Sequence, residues 1–322
     1  MSHLHAVPGG QAPPQRSGSA TSVRVEAPGK VNLFLSVGAL GADGYHPLTT
    51  VFQAVRVVET VTARRQALDA RGAVTLSLEE PDASVPTDAS NLAVRAALVL
   101  AEATGVEEGV DLLVRKRVPV AGGMAGGSAD AAATLLACNV LWGTELDQAE
   151  LVELASRLGA DVPFPLLGST AVGHGRGDRL TPLMTRGTYH WVFALAHTGL
   201  STPAVFARFD QMPRAVAPAA TEVPAELTNA LRSGDPAAVA AHLRNDLAPA
   251  ALSLRPGLAE VIDVAESAGA LRAIVSGSGP TVAALVPDGA TAARVSRALE
   301  DCEHVAGTLR ADAPVAGARV VG

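Results

Sequence analysis

From Pro119 to Leu135 the chain reads Pro-Val-Ala-Gly-Gly-Met-Ala-Gly-Gly-Ser-Ala-Asp-Ala-Ala-Ala-Thr-Leu. No other stretch restricts the fold so strongly, because small residues deliver the backbone directly into an alanine-rich helix. Gly122, Gly123, Gly126 and Gly127 allow peptide N–H groups to converge on an anion, and the helix N-terminus adds the positive end of its dipole. Two readings fit the stretch on its own: a phosphate cradle, or a glycine-rich turn that lets a helix approach closely. The Gly-Lys-Ser/Thr ending of a Walker A loop is missing, and so is the spaced glycine triad of a dinucleotide fold. A phosphate cradle here therefore requires a different nucleotide fold. Ser128 stands where it can cap the helix or meet phosphate or magnesium.

Strand-like alternation precedes this loop, in Val23, Val25, Val31, Leu33, Leu35 and Val37 and then in β-rich runs at 49–61 and 74–78. The spacing predicts a helix from about Ser90 to Thr104 closed by Gly105, a strand at 110–114, and a second helix ending at Trp142. A third starts at a capping box, Asp147 with Glu150, presents Leu151, Leu154, Ala155 and Leu158 on one face, and stops at Gly159. Short strands with glycine turns fill 169–196. Beyond a boundary near 186, Thr202-Pro203, Asp235-Pro236 and Arg255-Pro256 mark three helix starts. Two β runs, 271–276 and 281–286, flank a tight Gly277-Ser278-Gly279-Pro280 turn, and a helix follows from about 290 to 301. The mixture predicts a two-domain α+β chain, with 1–20 and 313–322 as tails.

Charge and cysteine usage narrow the partners. Twenty-five basic residues against thirty-two acidic ones leave a formal charge of -7, which argues against nucleic acid and for a small molecule. No apolar run is long enough to span a membrane, and no secretory signal precedes residue 20. Cys138 and Cys302 are the only cysteines and stand far apart, which suits a reducing cytoplasm and suggests neither disulfide nor zinc.

Two further motifs stand on either side of the glycine loop. Ala27-Pro-Gly-Lys-Val-Asn-Leu-Phe-Leu35 sets Lys30 and Asn32 on one face of a strand, and Ser276-Gly-Ser-Gly-Pro-Thr281 permits close backbone approach. Only two of the 25 basic residues are lysines, Lys30 and Lys116, so a compact ammonium is being kept in an arginine-biased chain. In this order the three motifs resemble those of the GHMP kinase superfamily. Asp43-Gly-Tyr-His-Pro-Leu48, Ser90-Asn-Leu-Ala-Val-Arg-Ala96, Leu158-Gly-Ala-Asp-Val-Pro-Phe164 and Thr202-Pro-Ala-Val-Phe206 resemble its diphosphocytidyl-methylerythritol kinase branch.

That resemblance implies an N-terminal β-rich ATP-binding domain over 21–185 and a ferredoxin-like α/β substrate domain over 186–312. It further implies ATP and Mg2+, with no particular metal ligand indicated, and a monomer or weak homodimer. Asp161 is implied as the general base on the substrate hydroxyl and Lys30 as its cationic partner. The ATP site is implied to comprise Asn91, Lys116, Pro119, Gly122, Gly123, Met124, Ala125, Gly126, Gly127, Ser128 and Ala129. The cytidine diphosphate end of the acceptor is implied to meet Asn32, Tyr45, His46, Asp161, Thr202 and Phe206. Five of these residues also have a plain structural reading: Asp161 as a turn carboxylate, Asn91 as a helix cap, Lys116 as a strand-end charge, Tyr45 and Phe206 as core aromatics. Many relatives carry glycine at the position of Ala125 and a second serine at that of Ala129, so this loop is expected to differ in backbone and to lack one hydroxyl. Asp130 is expected to face away from phosphate. The competing acceptors are small alcohols of the homoserine or mevalonate type, and a nonenzymatic sensor on the same fold would have lost the base or the loop.

Overall fold

The computed structural model describes residues 20–42, 44–66, 72–213 and 222–321. Two long strands, β1 (Ser22–Val37) and β2 (Leu48–Arg65), form an antiparallel ribbon whose two ends serve different cores. At one end Val23, Val25, Val61 and Ala63 face a helical layer; at the other Val31, Leu33, Val51 and Val55 face a second sheet. The ribbon's first end is widened by β3 (Val74–Leu78), parallel to β4 (Val110–Arg115), which pairs with β2. Its other end is widened by β5 (Thr170–Gly175) and β6 (Arg179–Pro182).

The helices over the first end are α1 (Leu92–Thr104), α2 (Gly126–Trp142), α3 (Gln148–Leu158) and the short α4 (Pro163–Leu167). Buried residues occur all round α2, so it shows no amphipathic stripe; its alanines let α1 and the ribbon close on it from both sides. Gly105 closes α1 and Gly143 closes α2, both in the left-handed conformation that glycine adopts without cost. The expected capping box of α3 is present: Glu150 N donates to Asp147 Oδ1 at 2.9 Å, and Asp147 N donates to Glu150 Oε2 at 2.8 Å.

The second sheet comes from later in the chain. After β7 (Tyr189–Leu195) come α5 (Thr202–Gln211), α6 (Ala225–Ser233), α7 (Pro236–Ala240), the two-residue β8 (Arg244–Asn245), α8 (Ala248–Leu254) and α9 (Gly257–Ser267). The remainder is β9 (Arg272–Val275), β10 (Val282–Val286), α10 (Gly289–Glu300), β11 (Gly307–Ala313) and β12 (Arg319–Val320). Sheet order is β11-β7-β10-β9 with every neighbouring pair antiparallel, the 4-1-3-2 arrangement of a ferredoxin-like sandwich. One face of this sheet meets the ribbon through Tyr189, Trp191 and Phe193, and the other is covered by α9 and α10 through Val261, Val295 and Leu299.

Three expectations need correction. Helices α6 and α8 fall outside the three expected helix starts of this region, and neither Pro224 nor Leu247 makes a side-chain cap bond. Helix α5 starts one residue earlier than expected, with Ser201 in the N-cap position making no side-chain cap bond and Pro203 in the first turn. Residues 313–322 are no tail over their described part. Val315 N donates to Ala54 O at 3.1 Å, Ala318 N to Pro165 O at 2.8 Å, and β12 pairs with β1. Those bonds come from the backbone and leave no side-chain pattern to read. Of the N-terminal segment 1–20 only Ala20 is described, its carbonyl accepting from Arg65 Nε at 3.1 Å, and Asp43 lies outside the described residues.

Candidate active site

Lys30 lies in the middle of β1, paired with Ala54 of β2, and its peptide N–H donates to Met124 O of the glycine loop at 3.1 Å. The register turns its side chain to the same face as Asn32. Lys30 Nζ donates to Asn32 Oδ1 at 2.7 Å, Asn32 Nδ2 donates to Thr50 Oγ1 at 2.9 Å, and Thr50 Oγ1 donates to Phe34 O at 2.7 Å. The Phe52 ring lies 5.6 Å beneath the ammonium. Asp161, in the tight turn between α3 and α4, presents Oδ2 at 3.9 Å from Lys30 Nζ. Burial pushes the lysine below its usual range, and Asp161 opposes that shift. The side chains differ sharply in exposure, 5% for Lys30 and 40% for Asp161, so the carboxylate is the member open to an incoming group.

The glycine loop runs from Pro119 to Gly127 over the start of α2. Ala125 occupies the N-cap position at φ 61 and ψ 36 and makes no side-chain cap bond, so the first turn's donors are left to a ligand or water. Left-handed backbone costs an L residue roughly 1–2 kcal/mol, a cost that a glycine at this position would avoid. Ser128 is half-buried in that turn, whereas Ala129 is buried in the core and opens no hydroxyl toward the loop.

The second glycine turn docks on the first. Ser276 Oγ donates to Gly123 O at 3.2 Å, and a Cβ on Gly123, whose φ is +75°, would stand 2.1 Å from Ser276 O. A Cβ on Gly277 would come 3.1 Å from Lys30 Nζ. Gly123 therefore needs glycine for close approach as well as conformation, whereas Gly277, at φ +56°, needs it for conformation. Asn245, which the sequence did not single out, clamps this turn: its Nδ2 donates to Val275 O and Gly277 O, both at 2.7 Å, and its Oδ1 accepts from Leu247 N at 2.9 Å.

On the far side of Lys30, α5 meets the segment before β2. His46 is buried, with Nδ1 2.9 Å from Gly38 O and Nε2 3.3 Å from Asp210 Oδ2. Phe206 stacks on the His46 ring at 5.2 Å, and Phe209 meets it edge-on at 6.0 Å. Thr202 Oγ1 and Ser278 Oγ are 2.7 Å apart, which ties the start of α5 to the second glycine turn. Tyr45 is 55% exposed with the Arg176 guanidinium 5.5 Å from its ring, so it is no core aromatic.

Asn91 and Lys116 both have structural work. Asn91 caps α1, accepting from Ala93 N at 2.8 Å and donating from Nδ2 to Pro86 O at 2.6 Å. Lys116 Nζ lies 2.5 Å from Glu59 Oε1 and 2.5 Å from Asp130 Oδ2. Asp130 thus turns into the body of the protein. Burial, with Asp130 nearby, pushes the Glu59 carboxyl up to about 7 despite the opposing pull of Lys116. Glu59 gave no signal in sequence because one glutamate in a strand normally reads as its solvent face.

Family models match two parts of the chain: the GHMP kinases N terminal domain over residues 91–169 and the GHMP kinases C terminal over 227–304. Over 307 residues, 93% of this chain and 99% of the relative, it is 51% identical to a protein of Leifsonia xyli subsp. xyli (strain CTCB07) named 4-diphosphocytidyl-2-C-methyl-D-erythritol kinase. The chain belongs to the GHMP kinase family. As such it is an ATP-dependent phosphotransferase, and the first family match includes the glycine loop and Asp161. A crystal structure of 4-(cytidine 5'-diphospho)-2C-methyl-D-erythritol kinase superposes with a TM-score of 0.72 at 32% identity, covering 91% of this kinase and 99% of that chain. Homoserine kinase from Cytophaga hutchinsonii ATCC 33406 gives 0.74 at 22% identity, covering 97% and 100%, so the two acceptor types share the fold.

Proposed function

We propose that the chain transfers the γ-phosphoryl group of ATP to a hydroxyl of 4-diphosphocytidyl-2-C-methyl-D-erythritol, a step of the non-mevalonate isoprenoid pathway. The observation that carries the reading is the Lys30–Asp161 pair, brought to 3.9 Å from 131 positions apart beside an uncapped glycine loop. Asp161 takes the acceptor's O–H proton as the oxygen forms its bond to the γ-phosphorus; the bond from that phosphorus to the β–γ bridging oxygen breaks, and ADP leaves with the electron pair. Lys30 balances the charge on the carboxylate and on the developing transition state. The loop from Pro119 to Ala129 receives the phosphates, and Asn91 and Lys116 border the adenosine.

Magnesium is proposed to arrive with the nucleotide, neutralising charge on the transferring phosphates. The described residues contain no group of three or more His, Cys, Asp or Glu arranged to hold a metal, which suits an ion coordinated mainly by phosphate and water. Tyr45, His46, Phe206, Thr202 and Asn32 are proposed to receive the cytidine diphosphate end. The stacked aromatics at this position favour that over a small alcohol, which has no base to stack. No described helix is long and apolar enough to cross a membrane, and a cytoplasmic monomer or weak homodimer is proposed.

Competition between nucleoside diphosphates tests the pocket. Cytidine diphosphate should compete with the acceptor and leave ATP untouched, and uridine diphosphate should compete less well, because a site built for the cytosine amine leaves groups unpaired against a carbonyl. Phe206→Ala should weaken acceptor binding about tenfold, the scale of one lost stacking contact. Equal weak inhibition by both diphosphates would rule the pocket out.

A further inference from the structure

The two ends of the glycine loop meet on one carboxylate. Arg117 leads into the loop, and its peptide N–H donates to Glu59 Oε2 at 2.8 Å. Gly126 leaves the loop as the first residue of α2, and a Cβ there would stand 3.0 Å from Glu59 Oε1. That same oxygen accepts from Lys116 Nζ, whose other close partner is Asp130, one turn into α2. Glu59 is itself fully buried, in β2 opposite Ala27 of β1, three residues before Lys30. A core needs no such residue: burying carboxylates and an ammonium carries a desolvation cost before pairing, and an apolar trio of similar volume is often as stable. Asp130 Oδ1 is buried without a hydrogen-bond partner, so the cluster is not optimised for stability alone.

We infer that Glu59 is a positioning residue for the nucleotide: it joins the start of the glycine loop to the first turn of α2, and so holds the loop's peptide donors in the shape that receives the triphosphate. The inference rests on the proposed ATP site. Glu59 touches no substrate in this arrangement; it acts through Arg117, Lys116 and Gly126. A carboxylate suits the task because its two oxygens accept from two donors at once. A glutamine has a single acceptor oxygen, and its amide NH2 would then face either the Lys116 ammonium or the Arg117 N–H.

Titrations at pH 8 with a nonhydrolysable ATP analogue and, separately, with cytidine diphosphate test this on the full chain. Glu59→Gln is expected to weaken the ATP analogue about tenfold and leave cytidine diphosphate within twofold of the parent, a split that general loosening of the fold does not give. If that variant fails to fold, Glu59→Asp replaces it: the charge facing Lys116 stays, but the shorter arm withdraws from Arg117 and Gly126, and the same split is required. Amide hydrogen exchange without nucleotide should quicken over 118–126 and remain parental in β10. Unchanged ATP-analogue affinity in a folded variant, or equal weakening of both ligands, would overturn the positioning role alone. A parent protein that binds cytidine diphosphate but no ATP analogue would overturn the ATP site on which it rests.

Discussion

Asp161 and Lys30 face unequal surroundings, and their division of labour follows from that. Lys30 is enclosed by β1, the Phe52 ring and the second glycine turn, so it is a fixed charge; Asp161 is open on one side, so it can reach a substrate proton. Asp161→Asn should keep the melting temperature and ATP binding while turnover falls about 10² to 10⁴, the usual range for a general base, as steady-state and single-turnover assays would read. Full turnover in that variant would remove Asp161 from the chemistry. Glu59 makes a different prediction, about stability. Its carboxyl is raised in the folded protein to about 7, with Lys116, Asp130 and the Arg117 N–H facing it. A raised carboxyl binds protons more tightly folded than unfolded, so its contribution is fully present below the unfolded value near 4.5 and is lost as pH rises through about 7. Denaturation of parent and Glu59→Gln between pH 4.5 and 8 should show the parent losing stability relative to the variant up to about 7, then running level. A difference that grows in the parent's favour with pH would contradict this.

Among the elements, helices such as α3, α5 and α7 are legible because a side-chain cap or a proline in the first turn marks the start. Helix α3 announces itself by Asp147 and Glu150, and α10 begins at Asp288, whose carboxylate accepts from Thr291 N at 2.7 Å. Helices α6 and α8 start at Pro224 and Leu247 without such bonds and become legible only through packing. The site divides in the same way. Lys30 and the glycines are marked by residue type, a rare lysine in an arginine-biased chain and a run of small residues before a helix, whereas Asp161 by type alone reads as a turn carboxylate and is singled out by the motif around it. Glu59 and Asn245 act by where the fold puts them, joining residues distant in sequence, and no local pattern marks that. The capping box also has a measurable share in stability: Asp147→Ala should lower unfolding free energy by about 1 kcal/mol and leave turnover unchanged, since Asp147 is exposed at the end of α3 away from Asp161. Urea titration with parallel assays would check both halves.

In the whole molecule, β1 and β2 connect everything that the reaction needs. The ribbon carries Lys30 and Asn32, supports the glycine loop through Glu59, and presents its other end to the ferredoxin-like sheet whose β9–β10 turn docks on that loop. The last residues of the chain return to the same ribbon. Ending the chain at residue 313 should therefore cost stability: with backbone hydrogen bonds worth about 1 kcal/mol net each, losing those of Val315, Ser169 and Ala318 should lower Tm by roughly 5 °C or more, as calorimetry would show. An unchanged Tm would mean that this segment adds nothing to the fold.

The reaction itself is the central claim, and a panel of phosphoryl acceptors tests it most directly. The purified chain is given ATP, magnesium and, in turn, 4-diphosphocytidyl-2-C-methyl-D-erythritol, homoserine and mevalonate, and phosphorylated product is followed by mass spectrometry. Product that forms from the cytidine-linked acceptor, with turnover at least a hundredfold above the other two and lowered about 10² to 10⁴-fold in Asp161→Asn, is the predicted result. Comparable or faster phosphorylation of homoserine or mevalonate would contradict it.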